Sequence, residues 1–140
     1  MPVFYDTHAH LDYPDFAADI EQVIARSEAS CITKIISIGT NFTSSRRAIQ
    51  LAARFPNVYA VVGWHPSDAL EAPSDIRDEL RELARQPKVV ALGETGLDYY
   101  RLPSQREGGS AADDAVYKIK QAALFHQHLE VAAEIGRAHV

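Results

Sequence analysis

Two histidines one residue apart, in Asp6-Thr7-His8-Ala9-His10-Leu11-Asp12, are the residues best spaced for chemistry, and they follow an apolar opening, Val3-Phe4-Tyr5. If residues 3–10 run as a strand, side chains alternate faces, and His8 and His10 leave the same face about 7 Å apart. Imidazole suits a divalent transition metal, and a His-x-His pair at the carboxyl end of a first strand is one way a β/α barrel supplies metal ligands to its mouth. A pair of surface or core histidines is the other reading of the spacing alone. Downstream, Gly93-Glu94-Thr95-Gly96-Leu97-Asp98 offers a carboxylate. It follows neither the dinucleotide-binding nor the P-loop glycine pattern, so a phosphate loop is set aside. A glutamate facing His8 and His10 could bind one metal or bridge two, since paired ions sit about 3.5–4 Å apart.

Those residues need elements that present them on one face. Lys34-Ile35-Ile36-Ser37-Ile38-Gly39, Val58-Tyr59-Ala60-Val61-Val62-Gly63 and Val89-Val90-Ala91-Leu92-Gly93 are short apolar runs rich in β-branched residues, as expected of strands covered on both sides. Between them, apolar residues recur at helical spacing. Phe16, Ile20, Val23 and Ile24 form one stripe, and Ala48, Leu51, Ala52 and Phe55 a second, on a helix expected over about 44–55. Ile76, Leu80, Leu83 and Ala84 form a third, with Ser74 as its expected N-cap. A last helix is expected over about 113–134, its inward stripe being Ala122, Phe125, Leu129, Ala132 and Ala133. His126 and His128 flank that stripe and are expected to be solvated. Strict alternation of strand and helix predicts a parallel α/β sheet with right-handed crossovers. A doubly wound open sheet shares that order. The polar residues of interest all lie just beyond strands one, three and four, which favours a β/α barrel.

Composition narrows the function classes. The chain has 140 residues, 46% hydrophobic and 24% charged, which is globular composition. Its net charge of -5 gives no general attraction to nucleic acid or anionic lipid, so a polyanionic substrate must be held locally. A single cysteine, Cys31, excludes an internal disulfide framework and fits a reducing compartment. Neither a secretory leader nor an apolar run of about 18 residues is present, so the expectation is a cytoplasmic protein with no membrane association.

Taken together, Asp6-Thr7-His8-Ala9-His10-Leu11-Asp12, Gly63-Trp64-His65-Pro66 and Gly93-Glu94-Thr95-Gly96-Leu97-Asp98-Tyr99-Tyr100 resemble the TatD-related metal-dependent hydrolases. So does Gln121-x-x-x-Phe125-x-x-His128-Leu129-x-x-Ala132. The resemblance runs from about Pro2 to Ala133. It implies a TIM-type β/α barrel and a deoxyribonuclease-like phosphodiesterase acting on nucleic acid, DNA first. It also implies two divalent cations (Mg, Mn or Zn), with His8 and His10 on one ion and Glu94 shared between both. His65 falls where the family uses a histidine near substrate, which implies phosphate contact or proton transfer. Bracing of the Trp64-Pro66 turn is its bland role. Asp6 is expected as a hydrogen-bond acceptor behind the ligands, and Asp12 as a cap on the approach to the first helix. Trp64 and Tyr99, with Tyr13 and Tyr100, are aromatics at loop positions where bases could stack for about 1–3 kcal/mol each. Packing is the alternative for all of them.

A complete eight-fold barrel takes about 250 residues, so residues 1–133 are expected to be the N-terminal half of one, roughly its first four β/α units. Metal affinity and activity are then expected to be poor in the half alone. The family's histidines after strands five and six and its aspartate after strand eight have no counterpart. His139 stands too close to Gly136 to take the strand-five role. One set of codons for residues 134–140 resembles a sequencing-library adapter, so that stretch is expected to be a non-native tail. Residues 107–112 lengthen the loop before the last helix, a thermodynamically cheap surface insertion. An amidohydrolase acting on amides, lactones or phosphotriesters is a second reading of the His-x-His strand, although such enzymes often bridge their metals through a modified lysine and the fourth strand here offers Glu94. A truncated, non-catalytic product is a third.

Overall fold

The computed structural model describes residues 2–136 and the backbone of residues 138 and 139. In chain order the elements are β1 (Phe4–Ala9), α1 (Ile20–Ala29), β2 (Ile32–Ile38), α2 (Phe42–Arg54), β3 (Val58–Val62), α3 (Arg77–Ala84), β4 (Val89–Leu92), α4 (Ala111–Ile135) and β5 (Ala138–His139). All neighbouring strands pair in parallel, and their order across the sheet is their order in the chain. A doubly wound sheet must reverse direction at some strand. This sheet does not, and it has the winding of a barrel wall.

Local chemistry explains where the helices start. Asn41 Oδ1 accepts the Ser44 amide at 2.9 Å while Ser44 Oγ accepts the Asn41 amide at 2.9 Å, a reciprocal cap on α2. Ser110 and Asp113 cap α4 in the same way, and Gly136 ends it in the left-handed region at φ 64°. The lengthened loop therefore finishes as the start of α4. Ser74 does not cap α3 as expected. That helix begins at Arg77, where the Asp75 carboxylate accepts the Arg77 amide at 3.0 Å, and the Ser74 carbonyl is taken instead by the Gln127 side-chain amide at 3.0 Å.

The core lies between the sheet and the helices, with Ile24, Ala48, Val58, Val62, Leu80, Leu92 and Val131 among its buried members. A smaller cluster of Ile38, Val61 and Ala91 fills the opposite face of the sheet. The face that α4 buries differs from the one its apolar spacing predicts. Of the expected stripe only Ala132 is buried; Ala122 and Ala133 are exposed, Phe125 is half-buried, and Leu129 is 37% exposed. The buried face carries Tyr117, Gln121, Leu124, His128 and Val131. His128, expected in solvent, is 0% exposed, whereas His126 is exposed. Apolar periodicity misplaces this helix because two residues of its inward face are polar and find partners inside.

The expected tail at residues 134–140 falls partly outside the described residues. Within it, Glu134 accepts two hydrogen bonds from Arg81, at 2.7 and 2.9 Å, and the backbone of β5 pairs with β4. Among the described residues no helix is long and apolar enough to cross a membrane.

Candidate metal centre

β1 brings its two histidines together through an irregularity. Asp6 pairs with Ile35 of β2 and Ala9 with Ser37, so β1 uses one more residue than β2 over that stretch. Bulges of this kind re-aim side chains. The Asp6 carboxylate accepts the His8 amide at 3.1 Å across the irregularity. Beyond it, the rings of His8 and His10 meet edge to face with centroids 5.3 Å apart. His10 Nδ1 lies 3.0 Å from the Ile38 carbonyl at the end of β2. Only a protonated nitrogen can satisfy a carbonyl, so His10 carries its hydrogen on Nδ1 and leaves Nε2 with a free lone pair. Tyr13 stacks on the same ring at 4.9 Å.

From the other side, β4 ends at Leu92. Gly93 follows at φ 149°, a backbone region open to glycine and rarely to other residues, and Glu94 comes next. Its Oε2 lies 3.3 Å from His8 Nε2 and 3.9 Å from His10 Nε2. The three ligand atoms all lie within 4.8 Å of one another. Two imidazole nitrogens and a carboxylate oxygen in so small a span form a donor set that a first-row divalent ion accepts. The residues present fit such an ion.

β3 supplies His65, whose Nε2 lies 3.5 Å from the second Glu94 oxygen, Oε1. Its Nδ1 accepts the Ser67 amide at 3.1 Å, with Ser67 Oγ 2.7 Å away. A neutral His65 therefore holds its hydrogen on Nε2, the nitrogen that faces the centre. Trp64 turns inward: its indole N–H donates to the Asp68 carbonyl at 2.9 Å and its ring meets Phe42 edge-on at 5.2 Å. Tyr99 stands on the loop after β4, exposed, with the Lys118 ammonium 5.2 Å from its ring centre. Asp12 does not cap a helix as expected. The 3-10 turn that follows it has no side-chain cap, and the buried Asp12 carboxylate faces the Arg47 guanidinium at 3.4 Å.

The structure thus gathers His8, His10, His65 and Glu94, sets Asp6 behind them and packs Trp64 below. Sequence reasoning missed the support beneath. His128 Nε2 accepts the Trp64 amide at 3.0 Å while its Nδ1–H donates to the Leu124 carbonyl at 2.8 Å. Burial pushes the His128 pKa below the usual histidine range, and the Leu124 carbonyl works against that shift. Gly63 makes room for this contact: a Cβ there would stand 2.3 Å from the Gly93 carbonyl oxygen and 2.8 Å from His128 Nε2. The available signal was that Gln121 and His128 lie two turns apart, on one face of a helix.

With this geometry in view, comparison with known proteins decides the family. The family model for TatD related DNase matches residues 5–140. The chain belongs to the TatD-related DNase family. An uncharacterized metal-dependent hydrolase of Bacillus subtilis, YabD, is 37% identical over 98 residues, covering 70% of this chain and 38% of that protein. The 3'-5' ssDNA/RNA exonuclease TatD of Salmonella typhimurium is 33% identical over 131 residues, 94% of this chain and 46% of the relative. The chain therefore spans under half the length of these curated TatD-family relatives. Among solved structures, YjjV, a TatD homolog from Escherichia coli, superposes with a TM-score of 0.81 at 28% identity, covering 97% of this chain and 49% of that one. A TatD-family hydrolase from Entamoeba histolytica, at 22% identity and a TM-score of 0.65 over 96% of this chain and 55% of that one, shares the fold. The fold is that of part of a TatD-family β/α barrel.

Proposed function

We propose that this chain carries part of the active centre of a metal-dependent phosphodiesterase that acts on nucleic acid, single-stranded DNA first. The observation that carries the reading is the meeting of His8 Nε2 and His10 Nε2 at one Glu94 oxygen while His65 Nε2 faces the other. His8, His10 and Glu94 would hold the first of two divalent ions (Mg, Mn or Zn), with Glu94 shared with the second. Divalent ions at such a centre polarise the phosphoryl oxygen, lower the pKa of water toward ~7 and neutralise charge on the leaving oxygen.

The chain's own residues do the rest. The Ile38 carbonyl fixes the His10 tautomer that leaves Nε2 free to ligate, and Tyr13 keeps that ring from turning. Asp6 holds the irregular backbone that aims His8. His65 offers a proton at Nε2, where it can bond a phosphate oxygen or protonate a departing alkoxide, and Ser67 keeps the proton on that nitrogen. Tyr99, exposed on the loop after β4, offers a ring on which a base can stack, whereas Trp64 is packed inward and serves the turn that carries His65. With a net charge of -5, binding depends on this local array and not on a general field. A cytoplasmic setting goes with the reading, and Cys31 is a free, half-buried thiol.

The assay is run on the longest natural reading frame that contains the chain, dialysed against chelator and returned to Mg²⁺, Mn²⁺ or Zn²⁺ with a 5'-labelled single-stranded oligonucleotide. Metal-dependent shortening from the 3' end, lost in Glu94→Gln, is the expected result. Cleavage indifferent to metal, or retained by Glu94→Gln, contradicts the reading.

A further inference from the structure

Gln121 and His128 are both fully buried on the inward face of α4, and between them they grip the β3 exit on either side of His65. His128 Nε2 accepts the Trp64 amide at 3.0 Å. The Gln121 side-chain amide donates to the Pro66 carbonyl at 3.0 Å. Gln121 reaches the β4 exit as well, where its oxygen accepts the Asp98 amide at 2.9 Å and its nitrogen donates to the Asp98 carbonyl at 2.9 Å. Burying polar side chains costs free energy that their hydrogen bonds only partly return. A helix needing only to pack would carry leucines here, as it does at Leu124 between them. His128 Nδ1–H stays within α4, on the Leu124 carbonyl, while His128 Nε2 and the Gln121 amide reach the loops that carry His65 and follow Glu94.

We propose that Gln121 and His128 are positioning residues for His65: α4 pins the backbone immediately before and after it, and so sets the ring against Glu94. The proposal rests on the reading of His65 as the group that meets substrate. Pinning one residue at both neighbours removes the backbone freedom that would let its ring swing away, which is how a fixed catalytic geometry is held from outside the site. The glycine at position 63 has a matching role, since a Cβ there would crowd the Gly93 carbonyl at 2.3 Å and His128 Nε2 at 2.8 Å. His65 is thereby held by a helix distant in sequence, in addition to its own Ser67 turn.

The test uses the ¹⁵N,¹³C-labelled full chain, metal-free, in solution. His128→Asn is too short to reach the Trp64 amide, whereas His128→Gln returns an acceptor near the Nε2 position. In His128→Asn the Trp64 amide is expected to exchange with solvent about 100-fold faster, while the Ala60 amide, bonded to the Lys88 carbonyl, keeps its protection. The nuclear Overhauser contact between the His65 ring and the Glu94 side chain is expected to weaken with it. In His128→Gln both are expected to return to within about 3-fold of wild type. Gln121→Met, similar in shape but without polar atoms, reads the other end of the brace, and there too the His65–Glu94 contact is expected to weaken. It decides the matter if His128→Asn fails to fold. A wild-type His65–Glu94 contact in either folded loss variant overturns the proposal, and so does a folded His128→Gln that fails to restore it. Separately, absence of Mn²⁺ binding by the longest natural reading frame that contains the chain would strike the metal-centre reading and leave the brace untouched, so the two failures are distinguishable.

Discussion

β1 and the β3–β4 pair face each other across one centre, yet they are held in opposite ways. β1 is exposed along most of its length, with Phe4 55% and Tyr5 59% exposed, and its histidines are aimed by a backbone irregularity, one carbonyl and one stacked ring. The exits of β3 and β4 follow strands whose Val61, Val62 and Leu92 are completely buried, and α4 ties both to its own inward face. The lesson is that ligand chemistry and fold stability are separable on one side of this site and fused on the other. A change at the solvent-facing ligands should act on metal binding, whereas a change at the β3–β4 contact should act on the whole fold.

The largest effect expected is from Gly63→Ala. The added carbon would stand 2.3 Å from backbone on β4's exit, and neither strand can retreat without disturbing the core. Urea unfolding should show a loss of about 3 kcal/mol. Stability equal to wild type would mean that the two exits are not in close contact. His8→Asn makes the complementary change on β1, at an exposed position outside the packed core. Mn²⁺ affinity measured by calorimetry should fall by about 100-fold or more, while metal-free unfolding shifts by less than about 1 kcal/mol. A destabilisation matching that of Gly63→Ala would erase the distinction between the two sides.

The smallest effect sharpens the comparison through pH. Burial lowers the His128 pKa from its usual 6.5, so the unfolded chain takes up a proton there before the folded one does. Stability should therefore be intact above pH 6.5 and decline as pH falls from 6.5 toward the lower folded value. Metal-free unfolding of His128→Gln, compared with wild type from pH 7.5 downward in steps of about one unit, should show the shallower decline. Parallel curves would mean that His128 is protonated as easily inside as outside.

Much of this was legible in the chain. The β-branched runs and intervening stripes give the strand order, and the His8–His10 spacing points to two rings meeting at the end of β1, although the strand ends at Ala9 and an irregularity, not a regular two-residue period, brings them together. Glu94 after Val89-Val90-Ala91-Leu92-Gly93 reads as the residue at a strand's mouth. The orientation of α4 was not legible, because periodicity scores apolar residues and here Gln121 and His128 occupy the buried face while Leu129 of the expected stripe, 37% exposed, does not. The irregularity in β1 was also hidden. It depends on register against β2, which local sequence does not encode. Ser74 is a good capping residue by type, but Asp75 and Gln127 compete for the same backbone and win.

In the proposed centre, His8, His10 and Glu94 close around one divalent ion. Electron spin-echo envelope modulation of the Mn²⁺-loaded chain tests it most directly, because imidazole nitrogen bound to manganese leaves a distinct modulation. Coupling from two histidine nitrogens is expected, reduced to one in His8→Ala and to one in His10→Ala. An Mn²⁺-loaded chain without nitrogen coupling, or with coupling that neither substitution changes, would contradict it.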